Sequence, residues 1–224
     1  MPEQRITITV DGQAASGKTA LSRLLAEALG FAHINSGLLY RGTAWLALSL
    51  GLDPTDTPRV IQALQHHRLS LVSGKSGQCE LLVNEQVTTA DLTSSAVSKG
   101  ASAVGQAAEI RAILLPAQRE AFPNAGLVAE GRDMGTVVFP DASVKFFVEA
   151  DLAARAARRF QQMIDRGDST SVEVVAADLA ARDRADEGRT VAPMVKVASS
   201  VVIDNSSAPL DETVRKMLEI VRSR

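Results

Sequence analysis

The 224 residues suffice for one α/β domain with insertions and a sizeable core. Their 24 basic and 26 acidic side chains nearly cancel, which removes any general electrostatic drive toward nucleic acid or a membrane surface. The single cysteine, Cys79, excludes an intrachain disulfide and a cysteine-based zinc site. No apolar run reaches membrane-spanning length, and Met1-Pro2-Glu3-Gln4-Arg5 does not open a signal peptide, so a soluble, cytoplasmic chain is expected, monomeric by default.

The run Ile6-Thr7-Ile8-Thr9-Val10 is β-branched and reads as a buried first strand. Gly12-Gln13-Ala14-Ala15-Ser16-Gly17-Lys18-Thr19 follows and spells G-x-x-x-x-G-K-[ST]. Leu21, Leu24, Leu25, Ala28 and Leu29 then recur at helical spacing up to Gly30, a C-cap residue. Strand, glycine-rich turn and helix are the context this phosphate-gripping loop needs. Gly12 permits angles closed to other residues, and Gly17 lets the main chain approach a phosphate. Successive N–H groups form an anion-binding concavity at the positive end of the helix. Lys18 is placed to reach the β- and γ-phosphates, and the Thr19 hydroxyl to ligate Mg²⁺.

Four further apolar runs, Ala32–Ile34, Leu127–Ala129, Val144–Val148 and Val201–Ile203, complete a predicted five-stranded parallel sheet in a doubly wound α/β core. Between them lie a helical stretch (Ala44–Leu50) and two strand-like runs (Leu69–Val72 and Glu80–Val83). The turn Ser73-Gly74-Lys75-Ser76-Gly77 joins those runs into a hairpin. The Ala/Ser-rich segment Thr93–Glu120 reads as helix interrupted near Pro116. The expected partition is a core of residues 1–36, 124–151 and 192–224, an insertion of residues 37–123, and a charged helical insertion of residues 152–191.

Asn35-Ser36-Gly37-Leu38-Leu39-Tyr40-Arg41 follows the second strand, at the carboxyl edge where open α/β sheets bind ligands. Tyr40 and Arg41 there either bind a phosphate or begin an exposed helix. Glu130-Gly131-Arg132-Asp133-Met134-Gly135-Thr136 follows the third strand at the same edge, with Glu130 where an acidic residue supports Mg²⁺ in phosphate-loop proteins. Arg155, Arg158 and Arg159 fall at i, i+3 and i+4, and Arg182, Asp186 and Arg189 at i, i+4 and i+7, so each set is expected on one helix face. Such sets are either solvated ion-pair faces or a cover over phosphates in transit. His33, His66 and His67 make no metal-ligand pattern, and no guanine-reading Asn-Lys-x-Asp motif occurs.

With these residues assembled, the chain resembles the bacterial cytidylate kinases of the nucleoside monophosphate kinase group. The resemblance rests on Asp11–Thr19, Ser36–Arg41, Gly131–Thr136, Val137–Ala142, Arg182-Asp183, Asp186, Arg189 and Pro193 in order, and runs nearly end to end. It implies ATP with Mg²⁺ as donor, CMP and dCMP as acceptors, a monophosphate-binding insertion and an arginine-bearing lid. By the same resemblance, Ser36, Tyr40, Arg41, Arg132 and Arg189 hold the acceptor phosphate, and Arg182 and Asp186 the sugar. Ser102, Arg111 and Asp133 match the positions that read cytosine, and Arg155, Arg158 and Arg159 look like lid residues closing over ATP. Lys18, Arg132, Arg182 and Arg189 are the implied catalytic set. Glu130 and Asn35 depart from the aspartates common in the family, and Ala20 leaves Thr19 as the hydroxyl after Lys18. Another small phosphate-loop kinase, acting on UMP, AMP or shikimate, is the nearer alternative, and a nucleotide-sensing switch the more distant one.

Overall fold

The computed structural model describes residues 6–74, 78–88 and 90–224. The β-branched first run forms β1 (Thr7–Gly12), buried along its whole length at the centre of a five-stranded parallel sheet. Its neighbours are β6 (Leu127–Gly131), flanked in turn by β2 (Ala32–Asn35), and β7 (Val144–Glu149), flanked by β8 (Val201–Asp204). The register Val10↔Glu130↔Asn35 gathers the ends of β1, β6 and β2 at one edge. Strands β2, β6, β7 and β8 each end one or two residues later than the apolar runs suggested. Glu130 is therefore inside β6 rather than in the turn that follows it.

Between β1 and β2 the leucine periodicity becomes α1 (Lys18–Leu29), closed by left-handed Gly30. One apolar cluster joins α1 (Leu21, Leu25) to the sheet (Ile8, Val10, Phe146, Val148) and to Met217 of α8 (Leu210–Arg222). On the other face Ile34, Ala129 and Met134 belong to a core that continues without interruption through Leu39, Leu81, Val97 and Ile110 of the first insertion.

That insertion holds α2 (Gly37–Ser49), α3 (Thr57–His66), the antiparallel strands β3 (Leu69–Ser73), β4 (Cys79–Val83) and β5 (Gln86–Val87), then α4 (Ser95–Val104) and α5 (Ala108–Arg119). The predicted hairpin is present, although Lys75, Ser76 and Gly77 of its turn lie outside the described residues. The helix expected from Ala44 starts at Gly37, which draws Tyr40 and Arg41 into its first two turns. The break expected at Pro116 falls instead at Gly105–Ala107, where Ala107 turns extended (φ −78°, ψ 115°). Glycine is a weak helix former, whereas a proline in the last turns deletes one backbone bond without ending the helix.

The second insertion is a hairpin of α6 (Leu152–Ile164) and α7 (Val172–Gly188). Arg189 caps α7 in an extended conformation, so it does not continue the face of Arg182 and Asp186. Among the described residues no helix is long and apolar enough to cross a membrane.

Candidate active site

The phosphate loop sits where β1 ends. At Gly12 (φ 148°) a Cβ would overlap the Val148 carbonyl, and at Gly17 (φ 88°) one would overlap the Asn205 amide, so only glycine fits either position. Ala15 is also left-handed (φ 58°), without glycine's freedom. Lys18 is buried and donates to the Gln13 carbonyl at 3.0 Å. Burial, then the nearby Arg132 guanidinium, lowers its ammonium pKa to about 7. A bound polyanion would reverse that shift, because an opposite charge favours the charged form.

Behind the loop, the Thr19 hydroxyl donates to Glu130 Oε2 at 2.8 Å. Glu130 is 1% exposed and its Oε1 has no hydrogen-bond partner, with His33 Nε2 at 3.6 Å. His33 Nε2 also lies 3.1 Å from Ser22 Oγ, which donates to the Lys18 carbonyl at 2.7 Å. A hydroxyl beside a carboxylate with an unsatisfied oxygen is a donor set suited to Mg²⁺, a hard cation held by one or two protein oxygens plus phosphates and water.

Across the cleft, Asn35 Oδ1 accepts from the Gly37 N–H at 3.0 Å, and buried Ser36 donates to the Glu130 carbonyl at 2.9 Å. Tyr40, whose phenol is held above its ordinary pKa by burial, stacks under the Arg111 guanidinium 5.2 Å from the ring centroid. Arg111 pairs with Asp133, and Arg189 approaches the other Asp133 oxygen at 3.5 Å. Arg132 donates to Asp186 at 2.7 Å. Arg41 is braced by the Leu92 carbonyl (2.8 Å) and Ser98 (2.9 Å). Burial, followed by neighbouring arginines, lowers the pKa of both Arg41 and Arg182 to about 10.

These groups enclose one cavity of about 530 Å³. Its walls carry nine cationic side chains (Lys18, Arg23, Arg41, Arg111, Arg132, Arg158, Arg159, Arg182 and Arg189) against three carboxylates (Glu130, Asp133 and Asp186), a balance that calls for anionic ligands. Ala14, Ala15, Gly17, Thr19, Ser36, Tyr40 and Ser102 line it as well, so the loop and the acceptor-side residues singled out by sequence share one chamber. Gly12, Gln13, Ser16 and Arg155 do not line it. Arg155 turns instead to the Ala150 and Ala14 carbonyls and to Asp183.

Sequence reasoning gave no role to Asp11, His33, Asp183 or Asn205. Asp11 accepts the Met134 and Gly135 N–H groups at 2.8 Å each and so fixes the π-helical turn Met134–Val138 after β6. Burial raises its pKa to about 6. Asn205 donates to the Ser16 carbonyl at 2.8 Å. Asp11 and Asp183 each touch a recognised motif, and that adjacency was the available signal.

A sequence profile described as Cytidylate kinase matches residues 8–223. A cytidylate kinase of Burkholderia vietnamiensis is 37% identical over 216 residues, covering 96% of this chain and 92% of that one. One from Anoxybacillus flavithermus is 35% identical over 222 residues, covering 99% and 98%. The bifunctional pantoate ligase/cytidylate kinase of Thermosynechococcus vestitus is 34% identical over 226 residues, and the chain spans 44% of its length. Among solved structures, a gluconokinase from Sinorhizobium meliloti superposes with a TM-score of 0.50 at 14% identity, covering 98% of this chain and 94% of that one. That likeness is one of fold. The chain belongs to the cytidylate kinase family and is a nucleoside monophosphate kinase, a transferase of phosphoryl groups.

Proposed function

We infer that the chain moves the γ-phosphoryl of ATP to the phosphate of CMP or dCMP, yielding ADP and CDP or dCDP. The observation that carries this reading is the single cavity with a phosphate loop at one end and a surplus of arginine at the other. Two polyanions must meet there, and their mutual repulsion has to be offset by fixed cations.

In this reading Ser36, Tyr40, Arg41, Arg132 and Arg189 hold the acceptor phosphate, and Arg182 with Asp186 the sugar. Ser102, Arg111 and Asp133 face the cytosine edge. Asp133 can do so because its partners Arg111 and Arg189 hold it in place. Lys18 and the loop N–H groups take the triphosphate, with Arg158 and Arg159 along the wall. Residues 37–123 act as the monophosphate-binding insertion and 152–191 as the lid. Thr19 and Glu130 would hold Mg²⁺, which supplies charge neutralisation on the β- and γ-oxygens when bound.

The nucleophile is a nucleotide phosphate whose second pKa lies near ~6, so it is already dianionic at neutral pH. No general base is required. The protein's contribution is alignment, exclusion of water and stabilisation of charge as the phosphoryl group passes between the two ends. A panel of nucleoside monophosphates with coupled ADP detection tests the reading. CMP and dCMP should drive ATP consumption well ahead of UMP and AMP. A different leading acceptor, or no stimulation by any monophosphate, would sink it.

A further inference from the structure

Arg155 was expected to close over ATP, yet it is 4% exposed and does not line the cavity. Its Nε donates to the Ala150 carbonyl just past β7 at 2.9 Å, and its Nη1 donates to the Ala14 carbonyl at 3.2 Å and pairs with Asp183. The second Asp183 oxygen accepts the Ala14 N–H at 3.2 Å, from a residue 169 positions away in sequence. Both backbone groups of one loop residue are therefore occupied by one buried ion pair between α6 and α7. The Ala14 side chain packs with Ala156, Val175 and Leu179 of the same hairpin.

The residue so gripped immediately precedes Ala15, whose left-handed backbone costs about 1 kcal/mol for a residue with a Cβ. On the far side, Ser16 is held through its carbonyl by Asn205. A strained residue with firm anchors on both sides is a pre-set conformation, one the loop would relax from if an anchor were lost. The loop's anion-binding capacity depends on that conformation, because its N–H groups bind phosphate only when they converge.

We propose that Arg155 and Asp183 are positioning residues that latch Ala14 and so set the phosphate loop for ATP before any nucleotide arrives. The lid hairpin and the triphosphate grip are then one mechanical unit, joined at the root of α6 and α7. The proposal rests on the reading of this loop as the ATP site.

The first test needs no substitution. In the nucleotide-free chain, amide exchange followed by NMR should show the Ala14 N–H protected about a hundredfold or more, as a closed buried bond requires. Exchange at the unprotected rate overturns the latch. The second test compares Asp183→Asn and Arg155→Lys with the wild type. Loss of a charge-assisted bond should raise the KM and Kd for ATP about tenfold, leaving the KM for CMP within about twofold. A lowered thermal midpoint with unchanged ATP affinity, or an equal loss toward both substrates, would reduce the pair to lid packing and overturn the proposal. If a variant fails to fold, the exchange measurement on the wild type decides. Failure of the wild type itself to bind ATP would instead strike the function proposed above, whatever the Ala14 exchange rate.

Discussion

Two sets of arginine stand within the same cleft region, and they are solved by opposite means. On α6, Arg155 is consumed by two carbonyls and Asp183, and Arg158 donates to the Asn205 and Ser206 carbonyls at 2.6 and 3.1 Å. Arg155's charge is thus spent on main chain and on one carboxylate, whereas Arg158 keeps a buried Nη1 with no hydrogen-bond partner. Across the cavity, Arg41 and Arg182 are buried among like charges, and Arg182 Nε has no hydrogen-bond partner. Those cations are held in mutual repulsion, a cost of folding that a bound anion would relieve. Spacing in the sequence treats Arg155 and Arg182 alike, but of these two only Arg182 lines the cavity. Burial among like charges, rather than spacing, sets a cavity-facing arginine such as Arg182 apart from one neutralised by a carboxylate such as Arg155.

The sharpest way to break that distinction is Lys18→Ala, since Lys18 is the crowded cation within the phosphate loop itself. On the proposed role of Lys18 at the triphosphate, its removal should lower kcat about a thousandfold in a coupled assay, with the fold retained by circular dichroism. Next comes Arg189→Ala, which should cut kcat/KM for CMP about a hundredfold with little change in the KM for ATP. Arg182→Ala should behave similarly while leaving the thermal midpoint of the nucleotide-free protein level or higher, because repulsion is relieved. A fall in that midpoint comparable to that of a bracing arginine would erase the contrast between the two sets.

How much of this was legible follows from what sequence periodicity reports. The phosphate loop was readable because β-branched strand, glycines and leucine-spaced helix occupy 25 consecutive residues, from Ile6 to Gly30. Ser36, Tyr40, Arg41, Arg132 and Asp133, which line the cavity, were singled out from motifs at strand ends. Arg189 was misplaced on a helix face because i+7 spacing assumes the helix continues, whereas α7 stops at Gly188. Arg155 and Asp183 were obscured for a different reason. Adjacent helix residues point about 100° apart, so Arg182 faces the cavity while Asp183 turns to Ala14. Pairing between buried polar groups so distant in sequence leaves no periodic trace. His33 was given no role because a histidine in an apolar strand says nothing about the carboxylate on the neighbouring strand.

Asp133 lies between the two regimes, a carboxylate that both satisfies Arg111 and, as proposed, faces the base. Asp133→Ala should narrow the preference for CMP over UMP about tenfold, since a site that loses a buried base-reading group loses discrimination. It should also lower the thermal midpoint, because Arg111 is left buried without its partner. Unchanged selectivity with lowered stability would assign Asp133 to bracing alone.

The smallest effect concerns pH and follows from crowding at Lys18. Its pKa, lowered from 10.5 to about 7 by burial and then by Arg132, leaves half the nucleotide-free molecules with a neutral amine near neutrality. A triphosphate prefers the ammonium, so binding draws in a proton, and apparent ATP affinity falls as pH rises. Between pH 7 and 8 the protonated fraction drops about fivefold, and the dissociation constant should rise by that factor. Folding responds with the opposite sign. From about pH 7 to 10.5 the unfolded chain holds a proton at Lys18 that the folded chain lacks, so this group's contribution to stability grows as pH rises. Calorimetric titration in buffers of different ionisation heat checks the proton uptake directly. Lys18→Arg, which cannot deprotonate in this range, should flatten the pH slope even where it weakens binding. A slope that persists in that variant would move the titration to another group and free Lys18 from the crowded set.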